Sequence, residues 1–146
     1  MRYVRGFTLL EMLVTLIIVG ILAAIAYPNY TSYMARSRRS EAQQLMVSIA
    51  NREAQYLLDS RMYTNVIGAT GLNANTERFT CTPTAAPTTC VNLYYTITVT
   101  VDNAATPPTY TVNAAAQGTQ TSDGNMSLTH TGAKARHVGV GPNIGW

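Results

Sequence analysis

The sequence predicts an α+β protein in which one long N-terminal helix packs on an antiparallel β-meander. Three observations carry that prediction. The stretch from Phe7 to Tyr27 is almost wholly apolar, broken by Thr8, Glu11 and Thr15. From Pro28 to about Leu58 the pattern becomes amphipathic, with apolar residues recurring at three- and four-residue steps. Beyond Thr76 the chain alternates apolar and polar residues in short runs separated by Gly, Pro and Asn, as half-buried strands do.

The first stretch is long enough to cross a membrane. About 20 residues at 1.5 Å rise match the roughly 30 Å hydrocarbon core of a bilayer. Glu11 is out of place in it, because a carboxylate in such a helix costs on the order of 2.5–3.5 kcal/mol. Three readings compete. One is an ordinary membrane anchor. Another is a secretory signal, with Arg2 and Arg5 as its charged start and Ala24-Ile25-Ala26 as the small-residue cleavage site. The third places cleavage before the apolar run, at Gly6–Phe7, so that the run stays in the mature chain.

In the amphipathic part, Tyr30, Tyr33, Met34, Leu45, Met46, Ile49, Ala50, Tyr56 and Leu57 form the stripe. Arg36, Arg38, Arg39, Glu41, Arg52 and Glu53 lie between them. Neither Gly nor Pro interrupts Asn29 to Met62, so the helix is expected to run on from the apolar stretch, kinked near Pro28, whose ring removes a backbone donor. It should end within Asp59–Thr64.

A connection rich in Gly, Asn and Thr follows, to about Thr76. The clearest strand is Leu93–Val101, with Leu93, Tyr95, Ile97, Val99 and Val101 on one face. After a turn at Pro107-Pro108, Tyr110–Ala116 alternates in the same manner. Ser122-Asp123-Gly124-Asn125 is a second turn, and Met126–His130 a third strand, with His130 on its apolar parity. Arg78–Thr82 is a candidate edge strand. Thr131–Trp146, with four glycines and a proline, reads as an irregular tail. The sheet and the amphipathic helix each have one apolar face and bury it against the other.

Composition bounds the function. The net charge is +3, and Arg2 and Arg5, ahead of the apolar run, supply two of those charges. Positive charge before the run places the N-terminus in the cytoplasm and the rest outside. Cys81 and Cys90 fit that compartment: the eight residues between them include Pro83 and Pro87, and a disulfide is expected there, against the alternative of two unlinked thiols. No glycine-rich phosphate loop, zinc-protease helix motif or nucleophile elbow is present, and no catalytic residue, cofactor or metal ligand is assigned.

The N-terminus, MRYVRG followed by FTLLEMLVTLIIVGILAAIAYP, resembles that of the type IV pilins. The resemblance implies a leader over 1–6, a membrane and filament-core helix over 7–27, and a periplasmic globular domain over 28–146. It further implies cutting after Gly6 by a prepilin peptidase and methylation of the new N-terminal Phe7. Glu11 would neutralise the N-terminal amine of a neighbouring subunit during assembly. Its place one helical turn after Phe7 suits that pairing, which sets register more than it adds stability. The resemblance also implies that the backbone between Gly20 and Pro28 can melt on entry into the filament.

Arg52-Glu53-Ala54-Gln55-Tyr56 and Arg61-Met62-Tyr63-Thr64 resemble minor pilins of the PilE type, which often end in Cys-Trp. Here Gly145 stands in place of that Cys, so the tail is expected to be looser. The implied function is a minor subunit of a type IV pilus supporting adhesion and twitching motility. Its partners would be major and minor pilins, the peptidase, the inner-membrane assembly platform and the inner membrane, and its final place an extracellular pilus. A pseudopilin of type II secretion shares the N-terminus and is the first alternative.

Arg36, Arg38, Arg39 and Glu41 are candidates for pairing with charges on neighbouring subunits, against the simpler reading of a solvated helix face. The second alternative is a DNA-binding minor pilin of natural transformation. Its candidate contacts are Lys134 and Arg136 in a cluster completed by His137, with no aromatic platform interleaved in sequence.

Overall fold

The computed structural model describes residues 6–82 and 88–146. Arg2 and Arg5 of the expected leader, and Pro83 and Pro87, lie outside the described residues. Helix α1 runs over Leu9–Ser60. Thr8 opens it by accepting the Glu11 N–H on its hydroxyl at 3.2 Å, and Glu11 places its charge in the first turn, where the helix dipole favours an acid. Helical backbone continues through Pro28, and beside it the Asn29 side-chain amide donates from Nδ2 to the Ile25 carbonyl at 3.2 Å. Arg61 ends the helix with a left-handed φ of 56° while its N–H reaches the Leu57 carbonyl at 2.9 Å.

The chain divides into two compact units, Met1–Ser37 and Arg38–Trp146. In the first, the large apolar side chains from Phe7 to Tyr33 are exposed, and the helix is long and apolar enough to cross a membrane.

In the second unit the helix buries Ala42, Leu45, Met46, Ile49 and Glu53 on one face. Each large apolar side chain so buried contributes roughly 1.5–3 kcal/mol. The opposing layer is a six-stranded antiparallel meander in the order β1 to β6. Its strands are β1 (Thr80–Cys81), β2 (Cys90–Val91), β3 (Tyr95–Asp102), β4 (Thr109–Ala116), β5 (Asn125–Thr129) and β6 (Lys134–His137). Tyr95, Ile97 and Val99 of β3 pack with Tyr110, Val112 and Ala114 of β4 and with Met126 and Leu128 of β5, as their alternation requires.

The structure corrects the expected elements in three places. Leu93 is 76 % exposed and precedes the strand. Asn92 causes this by accepting the N–H groups of Tyr94 and Tyr95 at 2.8 and 2.7 Å, which makes a turn where a strand was expected. His130 lies just past β5 and is exposed, its ring 6.4 Å from that of Tyr110. Lys134–His137, expected within an irregular tail, is the sixth strand and pairs with β5 from Leu128↔Lys134 to Asn125↔His137.

Residues 138–146 line the outer edge of β6. Asn143 accepts the Arg136 N–H at 2.9 Å, Ile144 donates to the Arg136 carbonyl at 2.9 Å, and the Trp146 indole donates to the Ala135 carbonyl at 3.1 Å. The tail is therefore pinned. Arg136 replaces the missing cysteine as its tie, donating from Nε to the Gly145 carbonyl at 2.8 Å.

Candidate functional site

At the N-terminal end, Gly6 and Phe7 precede the helix and are exposed, as Glu11 is in its first turn. None of the ion pairs among the described residues includes Glu11. Gly20 has open space where a side chain would stand. An exposed apolar helix bearing one acid is a surface without a solvent of its own: it needs lipid or other apolar helices around it.

The charges of the amphipathic segment are placed unevenly. Arg36 is exposed. Arg38 lies over the face of Tyr94, its guanidinium carbon 3.9 Å from the ring centre, and donates to the Thr119 hydroxyl at 3.3 Å. Arg39 pairs with Asp123 at 2.9 Å, and Glu41 pairs with Arg78.

Asp123 is the joint of this unit. One carboxylate oxygen accepts from Arg39 of α1 at 2.9 Å and from Arg136 of β6 at 3.1 Å. The other accepts from Tyr95 of β3 and from Gln120, each at 3.1 Å. Burial pushes the Tyr95 hydroxyl up to about 12, so it remains a donor at any physiological pH. The next residue must be glycine. Gly124 has φ of 99°, and a Cβ there would lie 2.4 Å from the His137 carbonyl oxygen.

The two candidate DNA contacts share a strand parity and differ in surroundings. Arg136 donates to both the carboxylate and the carbonyl of Asp123 and to the tail. Lys134 is exposed, with its ammonium 4.8 Å above the Trp146 ring. Beside it a shallow groove of about 380 Å³ is lined by Ser40, Gln43, Gln44, Val47, Lys134 and Trp146. Trp146 thus places an aromatic ring beside Lys134 that the linear cluster does not show. Sequence reading overlooked it because the tail's turn, not the strand, carries it there. His137 places Nδ1 at 3.0 Å from the Gly141 carbonyl.

At the opposite edge of the sheet, Cys81 and Cys90 are partners in the β1–β2 register and form a disulfide. Just before Cys90, the buried Thr88 hydroxyl accepts the N–H groups of Ile67 and Gly68 and donates to the Asn65 carbonyl. The disulfide hairpin thereby positions the connection that follows the helix. Among the described residues no group of His, Cys, Asp and Glu is arranged to hold a metal ion.

The helix has an exposed apolar first part and a second part packed on an antiparallel meander. Residues 1–27 match the prokaryotic N-terminal methylation motif, and residues 28–128 match the family described as type IV minor pilin ComP, DNA uptake sequence receptor. The chain belongs to the type IV pilin family, and within it to this ComP family.

Similar proteins include the type IV major pilin protein PilA of Myxococcus xanthus, 36 % identical over 67 residues, which are 46 % of this chain and 30 % of that one. The fimbrial protein EcpC of Eikenella corrodens is 40 % identical over 70 residues, 48 % of this chain and 46 % of its own. A type IV major fimbrial protein FimA of Dichelobacter nodosus is 38 % identical over 73 residues, 50 % and 45 % of the two chains. The matched region is less than half the length of each of these relatives. No solved structure matches the chain. The methylation motif and the apolar helix fit a pilin anchored in a membrane and then assembled with other pilins in a filament.

Proposed function

We propose that this chain is a minor pilin of a DNA-uptake pilus. The observation that carries the reading is the match to the ComP family over residues 28–128, because it spans the amphipathic part of α1 and the sheet through Leu128 of β5, short of β6 and the tail, and lies wholly outside the N-terminal methylation motif. The chain enters the inner membrane with its N-terminus in the cytoplasm, is cut after Gly6 by the prepilin peptidase, and is methylated on Phe7. The assembly platform then adds it to a filament of major and minor pilins, with Glu11 neutralising a neighbour's terminal amine. Gly20 and Pro28 bound the part of the helix that loosens on entry. Arg36, the remaining exposed cation of the four helix candidates, is available to a neighbouring subunit.

In the sheet-bearing unit, Lys134 over Trp146 and Arg38 over Tyr94 hold cations on aromatic faces, which positions them for phosphate contact. Arg136 supports that surface from beneath by fixing the tail that carries Trp146.

Deletion of the gene should abolish uptake of labelled duplex DNA while filaments are still made. Complementation with Arg38→Ala plus Lys134→Ala should restore filaments and leave uptake low. Normal uptake in the deletion strain would sink the reading. A second function is that of a structural pilus subunit, which the relatives named as major pilin and fimbrial proteins support, with adhesion and twitching motility as the roles it would serve. Loss of filaments and of twitching on deletion would favour it.

A further inference from the structure

Glu53 is an acid without a counter-ion in the core. It lies on the sheet-facing side of α1 with none of its surface exposed. One carboxyl oxygen accepts the Thr64 N–H at 3.1 Å, and the other has no hydrogen-bond partner among the described residues. None of the described ion pairs includes it. Its titratable surroundings are phenols. Tyr110 of β4 bonds the Ala50 carbonyl at 3.5 Å, and burial pushes its hydroxyl up to about 12. Tyr63, in the connection after the helix, packs edge-on against Tyr110 with ring centres 4.6 Å apart. His130 touches the same cluster through the Tyr110 ring, at 6.4 Å. The nearest cation in sequence, Arg52, donates to the Leu72 carbonyl at 2.7 Å.

A carboxylate so placed lacks both water and a cation, and a single N–H repays little of the cost of burying a charge. The neutral acid fits the site. Burial accordingly pushes Glu53 from the ordinary 4.5 up to about 7, with the Thr64 bond pulling weakly the other way.

We infer that the connection over 61–74 is latched to α1 by a proton on Glu53, the docked connection holding the neutral acid and the released connection the carboxylate. The connection supplies the Thr64 donor and buries Ile67, Leu72 and Ala74 in the core beside it. Release exposes Glu53, whose proton passes to bulk water. The docked state binds the proton more tightly, so rising pH favours release. The opening constant climbs about tenfold per pH unit between the released value near 4.5 and the docked value near 7, and is flat above. The latch requires no DNA and is independent of what the filament binds.

Hydrogen exchange on the full chain in detergent micelles, corrected for intrinsic exchange rates, reads the opening directly. Amides from Thr64 to Ala74 should open on the order of a hundredfold more often at pH 8 than at pH 5, while β3 and β4 amides change little. In Glu53→Gln, which keeps an acceptor for Thr64, opening should be pH-independent and as rare as in the acid form. His130→Asn should keep the slope. A flat profile in the unaltered chain overturns the latch, as does a slope that survives Glu53→Gln or vanishes with His130→Asn. Should Glu53→Gln fail to fold, NMR titration of the Glu53 carboxyl carbon in the unaltered chain decides. A midpoint near 7 supports the latch and one near 4.5 overturns it.

Discussion

The two edges of the sheet are closed by different means. At the β1–β2 edge, two strands of two residues each are joined by the Cys81–Cys90 disulfide. At the β6 edge there is no covalent tie. There the tail satisfies the strand's outward backbone groups through Asn143, Ile144 and Trp146, and Arg136 binds the tail to Asp123 and so to Arg39 of the helix. Both devices blunt an edge that would otherwise offer itself for pairing with another chain. They fail differently, however. A disulfide restricts the unfolded chain and holds whatever the pH or salt, whereas a charge network acts in the folded state and depends on each member.

The largest expected effect comes from removing the joint on the uncrosslinked side. Asp123→Ala leaves two guanidinium groups and two neutral donors without their common acceptor, and should cost about 3–5 kcal/mol in denaturant unfolding. A loss below about 1 kcal/mol would mean that the network is dispensable. Cys81→Ser with Cys90→Ser should cost roughly 2.5–3 kcal/mol for a closed loop of about ten residues. Its local signature is faster exchange at Ile67 and Gly68 with β6 unchanged. Equal loosening at both edges would argue against two separate closures.

Asn143→Ala removes the acceptor for the Arg136 N–H and should cost about 1 kcal/mol, with lost protection confined to that amide and its neighbours. Smallest of all is Lys134→Ala, expected to change stability by less than about 0.5 kcal/mol. It should nonetheless weaken DNA retention and reduce the salt slope by about one unit, which separates a binding residue from a structural one.

These edges also mark where the sequence was readable. β3 and β4 are eight residues each, with unbroken alternation, and their buried faces were legible from Tyr95, Ile97 and Val99 and from Tyr110, Val112 and Ala114. β2 is two residues long and β6 lies among glycines, so neither has enough residues to display a period. Leu93 matched the period and was still misplaced, because Asn92 captures the following N–H groups locally. Of the candidate site, the residues proposed for cleavage and assembly, Gly6, Phe7 and Glu11, lie within one short stretch of sequence and are visible as a motif. The meeting of Lys134 with Trp146, and of Arg136 with Asp123, depends on how a turn and a tail fold back.

The apolar run with its single acid, the amphipathic continuation and the two long strands were determined by local pattern alone, since burial periodicity follows directly from helix and strand geometry. Three assignments belonged to the tertiary structure: which charges are spent inside the chain, which aromatic lies beneath Lys134, and that Glu53 is sealed from water. A side chain's partner is set by whatever distant segment is brought against it, and Arg39 with Asp123, 84 residues apart, has no signature along the chain. The same Glu that reads as an ordinary surface residue of an amphipathic helix becomes a proton-holding group only when Thr64 and Tyr110 close over it.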